Sequence, residues 1–269
     1  VKVGSLNKGL VGHWTLAQNS LQSATVFADK TPYSNNGTSA NTPSFTTDQH
    51  GQANRAMTFN GTSDYVVTGT VNHNIGTGDF SYFTWVYVSA SAGHKAGATL
   101  WGVVANGEYS PVMALGDGTN GIPIRNLGMY WSGWRDFGTT VTADQWSHIG
   151  MVRQAGVITG YVDGIAAPNT FSVGTSMANA GQVIGRSGVS YSADPFPGSL
   201  SDVRIYNRAL SATEVSQLYN AYQPKYQVST LSKGLVGRWK LSQDSKKGAL
   251  YGDATPNNND GTATGTTAT

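Results

Sequence analysis

The chain has 269 residues, is 39% hydrophobic and only 12% charged, and carries a formal net charge of +2. So small a net charge offers little to a nucleic-acid backbone or an anionic membrane surface, and neither is expected as a partner. The chain has no cysteine, which excludes disulfides, zinc–thiolate sites and cysteine nucleophiles together, and no apolar run reaches the ~18 residues that mark a membrane-spanning helix.

Short apolar or alternating segments recur along the chain, separated by Gly, Asn and Thr, as strands of an all-β protein are. Leu10 to Leu16 is the first strand. Ala56 to Phe59 precedes the turn Asn60-Gly61-Thr62-Ser63-Asp64, and Tyr65-Val66-Val67 follows it. Phe80 to Val88 carries bulky groups on both faces and reads as a central strand of a sandwich. Leu100–Ala105, Val112–Leu115 and Leu127–Trp131 come next. Trp146–Arg153 carries apolar residues on alternate positions, Val157–Val162 pairs back on it, and Asp163-Gly164 makes a tight turn after them. Gln182–Gly185 and Leu200–Tyr206 close the sheets. One helix is expected: Ser211-Ala212-Thr213-Glu214 has the spacing of a capping box, and Val215, Leu218 and Tyr219 then share a face up to about Tyr222.

An internal repeat organises the whole. Residues 6–16 return at 231–241, 225 positions on, with eight of eleven identical; Asp29-Lys30-Thr31-Pro32 returns as Asp253-Ala254-Thr255-Pro256, and Asn35-Asn36-Gly37-Thr38 as Asn259-Asp260-Gly261-Thr262. The expected organisation is one domain over 1–225, then the start of a second copy over 226–269, joined without a flexible linker near Pro224. So few strands bury little core alone, so the tail is expected to find a partner surface. The first residues, Val1-Lys2-Val3-Gly4, are not a signal peptide: either a leader has been removed or the sequence is a piece of a longer chain.

Phe59 to Val66, Trp85, Trp146 to Gly164 and above all Gly198-Ser199-Leu200-Ser201-Asp202-Val203-Arg204-Ile205-Tyr206-Asn207-Arg208-Ala209-Leu210-Ser211 resemble the laminin-G-like/concanavalin A-like jelly-roll superfamily, of the type found in bacterial surface proteins. The likeness covers residues 6–222. It implies a two-sheet antiparallel jelly-roll sandwich with one short C-terminal helix, here followed by a partial second repeat. It also implies ligands, glycans or proteins, at the concave face or its rim, and in many members a structural calcium.

Enzymatic hydrolysis of glycans needs two carboxylates at set separation across the scissile bond. The chain has two glutamates: Glu214 belongs to the helix cap and Glu108 stands alone. His13, His50, His73, His94 and His148 accompany no nucleophile elbow. No catalytic site is expected. Calcium takes six to eight oxygen ligands, and the loop from Asp29 to Gly37 is oxygen-rich; Asp29 and Asn36 are its candidate ligands, or else they cap turns. The resemblance adds Asp202, on the closing strand, as a third. For a glycan or protein ligand, Tyr130, Trp131, Trp134 and Arg135 form an expected exposed hairpin, with Tyr109 as a further contributor; the alternative is an edge hairpin that covers the core. The expected function is a non-catalytic extracellular binding or adhesion module at a microbial cell surface. The alternative is a structural subunit that self-associates into a filament or sheath through its partial repeat.

Overall fold

The computed structural model of the chain describes residues 6–68, 75–90, 98–103, 111–119, 121–174, 176, 181–187 and 194–221, together with 235–237, 239, 246–247, 250–251, 253, 255, 257 and 259–262. The chain divides into two compact units, Val1–Pro224 and Lys225–Thr269.

In the first unit the period-two patterns become two eight-stranded antiparallel sheets. One is ordered Ile165–Ser172 (β14), Val157–Val162 (β13), Trp146–Gln154 (β12), Phe80–Tyr87 (β7), Pro197–Tyr206 (β16), Ala56–Asn60 (β5) and Ser44–Thr46 (β4), with Leu10–Trp14 (β1) also on β16. The other is ordered Trp134–Thr140 (β11), Asn126–Tyr130 (β10), Val112–Leu115 (β9), Ala98–Val103 (β8), Gln182–Ile184 (β15), Val66–Thr68 (β6), Gly37–Ser39 (β3) and Val26–Phe27 (β2). Between them lies one apolar core that includes Trp14, Phe59, Phe80, Tyr82, Trp101 and Trp131. The expected all-β sandwich is therefore present, and β7 sits at the centre of its sheet with both faces buried. Asp163-Gly164 makes its expected turn with both residues at positive φ, 51° and 79°, the geometry that matches the twist of a hairpin.

The α-helix Ala212–Ala221 (α1) starts as its sequence dictates. Ser211 N–H donates to Glu214 Oε2 at 2.9 Å and Glu214 N–H donates to Ser211 Oγ at 3.2 Å, so the capping box closes. Arg208 also grips Glu214 through two hydrogen bonds of 2.8 and 2.9 Å. These bonds, led by Arg208, hold the Glu214 carboxyl down to about 2. Val215 and Leu218 then bury against Phe83, Val152, Tyr161 and Tyr206 on the outer side of the first sheet.

In the second unit, Lys246–Lys247 (β17), Leu250–Tyr251 (β18) and Gly261–Thr262 (β19) form a small antiparallel sheet. Its hydrogen bonds duplicate those of the first unit. Trp14 Nε1–H donates to the Asn35 carbonyl at 2.8 Å, and Trp239 Nε1–H to that of Asn259 at 2.6 Å. Asp29 Oδ1 accepts from Thr31 N–H and its Oδ2 from Thr31 Oγ1–H and Asn35 N–H. Asp253 accepts from Thr255 and Asn259 in the same three ways. Burial differs: Trp14 and Val11 are 0% and 3% exposed, whereas Trp239 and Val236 are 44% and 72% exposed.

Candidate functional site

The β10–β11 hairpin separates the aromatic residues that stand together in the sequence. Leu127, Met129 and Trp131 alternate along β10 and all turn into the core. Trp131 is 3% exposed, stands 6.4 Å from Phe80 ring to ring, and lies 5.1 Å beneath the Arg153 guanidinium. It is a core residue, a correction to its assignment as an exposed ligand contact: the register that places Met129 inside also places Trp131 inside. Arg135 follows the same parity, opposite Met129, and its guanidinium lies over the Phe171 ring at 5.8 Å. Asp136 is equally committed, accepting both from Asn126 Nδ2 and from Gly138 N–H.

Tyr130 and Trp134 fall on the opposite face. They are directly paired across the hairpin, and their rings meet edge to face at 5.4 Å and 73°. Tyr130 also pairs with Val112, and Val112 with Gly102, so one row crosses four strands. Gly102 has a specific use in that row, because a Cβ there would come within 2.6 Å of the Ser187 carbonyl oxygen. The bare glycine lets the segment after β15 close over the sheet. The result is a cleft of about 240 Å³ lined by Val112, Tyr130, Trp134, Ser187 and Asp194. That is below the roughly 300–1,000 Å³ of drug-sized sites, and suits one ring of a ligand rather than a long chain. Tyr109, the remaining residue expected here, lies outside the described residues.

Asp194 reaches the cleft from a distant part of the sequence. Its carbonyl accepts from Thr99 N–H at 3.0 Å and Phe196 N–H donates to Gly185 at 3.0 Å, which fixes the segment to β8 and to the turn after β15. Among the described residues no hydrogen-bond donor meets its carboxylate. Burial, and then the negative charge of Asp117, push that carboxyl up to about 6. A carboxylate that meets no donor among the described residues, in one cleft with two aromatic rings, offers acceptors to ligand hydroxyls or amines. Sequence reasoning missed Ser187 and Asp194, which lie 47 and 54 residues beyond the end of the hairpin at Thr140 and whose only local signal, the Asp194-Pro195 turn, is common in loops.

The residues expected to hold calcium have other partners. Both Asp29 oxygens are taken by the turn described above, and Oδ1 also accepts from His13 N–H at 3.0 Å. Asn36 Oδ1 accepts from Asp29 N–H, while Asn36 Nδ2 donates to Gln22. Asp202 meets the Arg204 guanidinium at 3.0 and 3.1 Å and the His13 ring at 2.6 Å. A cation site needs several oxygens turned to one point; here the oxygens face N–H and O–H donors, and the countercharge of Asp202 is Arg204. The arrangement does not fit calcium, and among the described residues no group of three or more acidic or histidine side chains is placed to hold a metal. Asp29 and Asn36 act as turn caps instead.

The family model described as "Concanavalin A-like lectin/glucanases superfamily" matches residues 60–216. A comparison with curated proteins gave no match. Among solved structures, the chain is similar to domain 4 of a GH43 extracellular arabinanase from Geobacillus stearothermophilus, in complex with arabinotriose. The identity is 19% and the TM-score 0.59, over 78% of this chain and 98% of that one. It is also similar to Trypanosoma rangeli sialidase in complex with sialic acid, with 15% identity and a TM-score of 0.60, over 84% of this chain but 33% of the sialidase. A third is a botulinum neurotoxin type C structure whose cell entry depends on two ganglioside molecules, with 13% identity and a TM-score of 0.61, over 82% of this chain and 53% of that one. At such identities the likeness establishes a shared fold.

Proposed function

Given that the chain belongs to the concanavalin A-like lectin/glucanase superfamily, we propose that it is a non-catalytic carbohydrate-binding module whose site is the cleft of Tyr130, Trp134, Val112, Ser187 and Asp194. The carrying observation is the chemistry of that cleft: two aromatic rings, an apolar Val112 and one carboxylate that meets no donor among the described residues. Aromatic faces take the C–H side of a sugar ring, and the carboxylate and the Ser187 hydroxyl take its hydroxyls. Three of the similar solved structures concern carbohydrates, arabinotriose, sialic acid and gangliosides, which supports this class of ligand. Hydrolysis by an acid and base pair would need a second carboxylate in the cleft, and Asp194 is the one among the described lining residues. The same reading sets the module outside the cell, as a surface adhesion domain; among the described residues no helix is long and apolar enough to cross a membrane.

The test is Trp134→Ala on a glycan array and by titration. Trp134 is half-buried and lies outside the core cluster, so its loss is expected to weaken binding about 10- to 100-fold with little change in melting temperature. Unchanged binding to the best glycan would remove the cleft from consideration.

A second reading rests on the second unit. Leu235, Val236, Trp239 and Leu250 are exposed there, and the residues equivalent to Val236 and Trp239, Val11 and Trp14, are covered in the first unit. A structural role would cover these side chains with another copy of the chain, building a filament. Sedimentation of the full chain beside Val236→Asp/Trp239→Asp checks it: assemblies that vanish in the variant support the filament, and a monomer in both discards it.

A further inference from the structure

The charge of the cleft narrows the class of sugar, an inference that rests on the carbohydrate-binding reading above. No cationic side chain lines the cleft among the described residues. The two arginines closest in sequence are engaged elsewhere, Arg135 over Phe171 at 5.8 Å and Arg186 over Tyr65 at 5.2 Å. What the cleft does present is the Asp194 carboxylate, held in place through its backbone bond to Thr99. Behind it stands Asp117, whose Oδ1 accepts from Thr119 N–H and Oγ1–H and whose charge reaches Asp194.

We propose that the cleft selects hydroxyl- or amine-bearing sugar rings without an acid group, and turns away sialic and uronic acids. An anionic sugar seated against Tyr130 and Trp134 would bring a second carboxylate to Asp194 with no arginine or lysine among the described lining residues to pair it, and a like charge in a half-buried site is strongly unfavourable. A ring hydroxyl donates to Asp194, and an ammonium group pairs with it. The chain thus shares its fold with structures that hold sialic acid and depend on gangliosides, while its own cleft has the charge that repels their acidic sugar.

Titration of the full chain by tryptophan fluorescence tests this at neutral pH, with lactose against 3′-sialyllactose and glucosamine against glucuronic acid. The member without an acid group is expected to bind at least roughly tenfold tighter in each pair. Asp194→Asn is expected to shrink that gap, which mere steric exclusion of a bulkier acid would not do. Equal or tighter binding of the acidic member, or a gap that Asp194→Asn leaves intact, overturns the charge-selection inference while the site stands. Silence towards all four sugars, with and without Trp134, overturns the binding reading itself and the inference with it.

Discussion

Arg204→Met is expected to destabilise the first unit by roughly 3–5 kcal/mol, the usual loss when one partner of a buried ion pair is removed. Asp202 and its partner are both nearly inaccessible to water, and Asp202 holds a positive φ of 54° where β16 bulges. At that bulge one edge of β16 passes from β5 to β1. Burial alone would push the Asp202 carboxyl up; the Arg204 guanidinium and the His13 hydrogen bond outweigh it and hold the group well below the usual carboxylate range. Removing Arg204 leaves that charge with His13 as its remaining side-chain partner among the described residues, in a site that solvates it poorly. Urea denaturation gives the size of the loss. The double variant Asp202→Asn/Arg204→Met identifies its cause, because neutralising the stranded carboxylate is expected to recover a large part of it. Additive losses in the cycle would mean that the pair is uncoupled and that Arg204 acts through packing alone.

How much of this was readable beforehand follows from the range of each interaction. The strands, the capping box at Ser211 and Glu214, and the turn at Asp163-Gly164 depend on residues a few positions apart, so spacing alone locates them. The side chains of the hairpin depend on register. Trp131 and Trp134 look equivalent in composition, and only the parity with Leu127 and Met129 sends the first inward and leaves the second on the cleft. That signal was present in the sequence, since Leu127 to Trp131 reads as one strand. Asp29 and Asn36 are legible as turn residues, and the return of four of their hydrogen bonds at Asp253 and Asp260 shows a local code for the turn. Asp194, by contrast, lines the same cleft as Tyr130 only because its carbonyl is held by Thr99 on β8 and Gly102 leaves room for Ser187 after β15. Nothing within its own neighbourhood encodes that placement. Arg204 stands two residues from Asp202, a spacing that already favours one face of a strand, but the burial that makes their pairing obligatory is a tertiary feature.

The largest pH effect is expected from His148. Its ring stacks on Phe83 at 5.2 Å and 6°, stands 5.1 Å from Trp85 and 6.1 Å from Tyr219 of α1, and is almost wholly buried. Its Nδ1 has no hydrogen-bond partner. Burial disfavours the imidazolium, Asp202 favours it and Arg204 opposes it; the net result lowers the group to about 3. The folded state therefore binds a proton at His148 more weakly than the unfolded chain, whose histidine titrates near 6.5. Stability from this group is complete above about pH 6.5 and is lost progressively as pH falls towards 3. At about 1.4 kcal/mol per unit, the full span amounts to about 5 kcal/mol. Asp194, whose carboxyl is raised to about 6 by burial and then by Asp117, acts in the opposite sense over the upper part of that window, so the wild-type curve alone understates the histidine. The difference between wild type and His148→Phe isolates it. The variant keeps an aromatic ring against Phe83 and has nothing to protonate, so between pH 6.5 and 4 its denaturation midpoint is expected to fall far less than that of the wild type. Parallel curves through that window would show that His148 accepts its proton in the folded state, and that α1 opens readily enough to let water reach it.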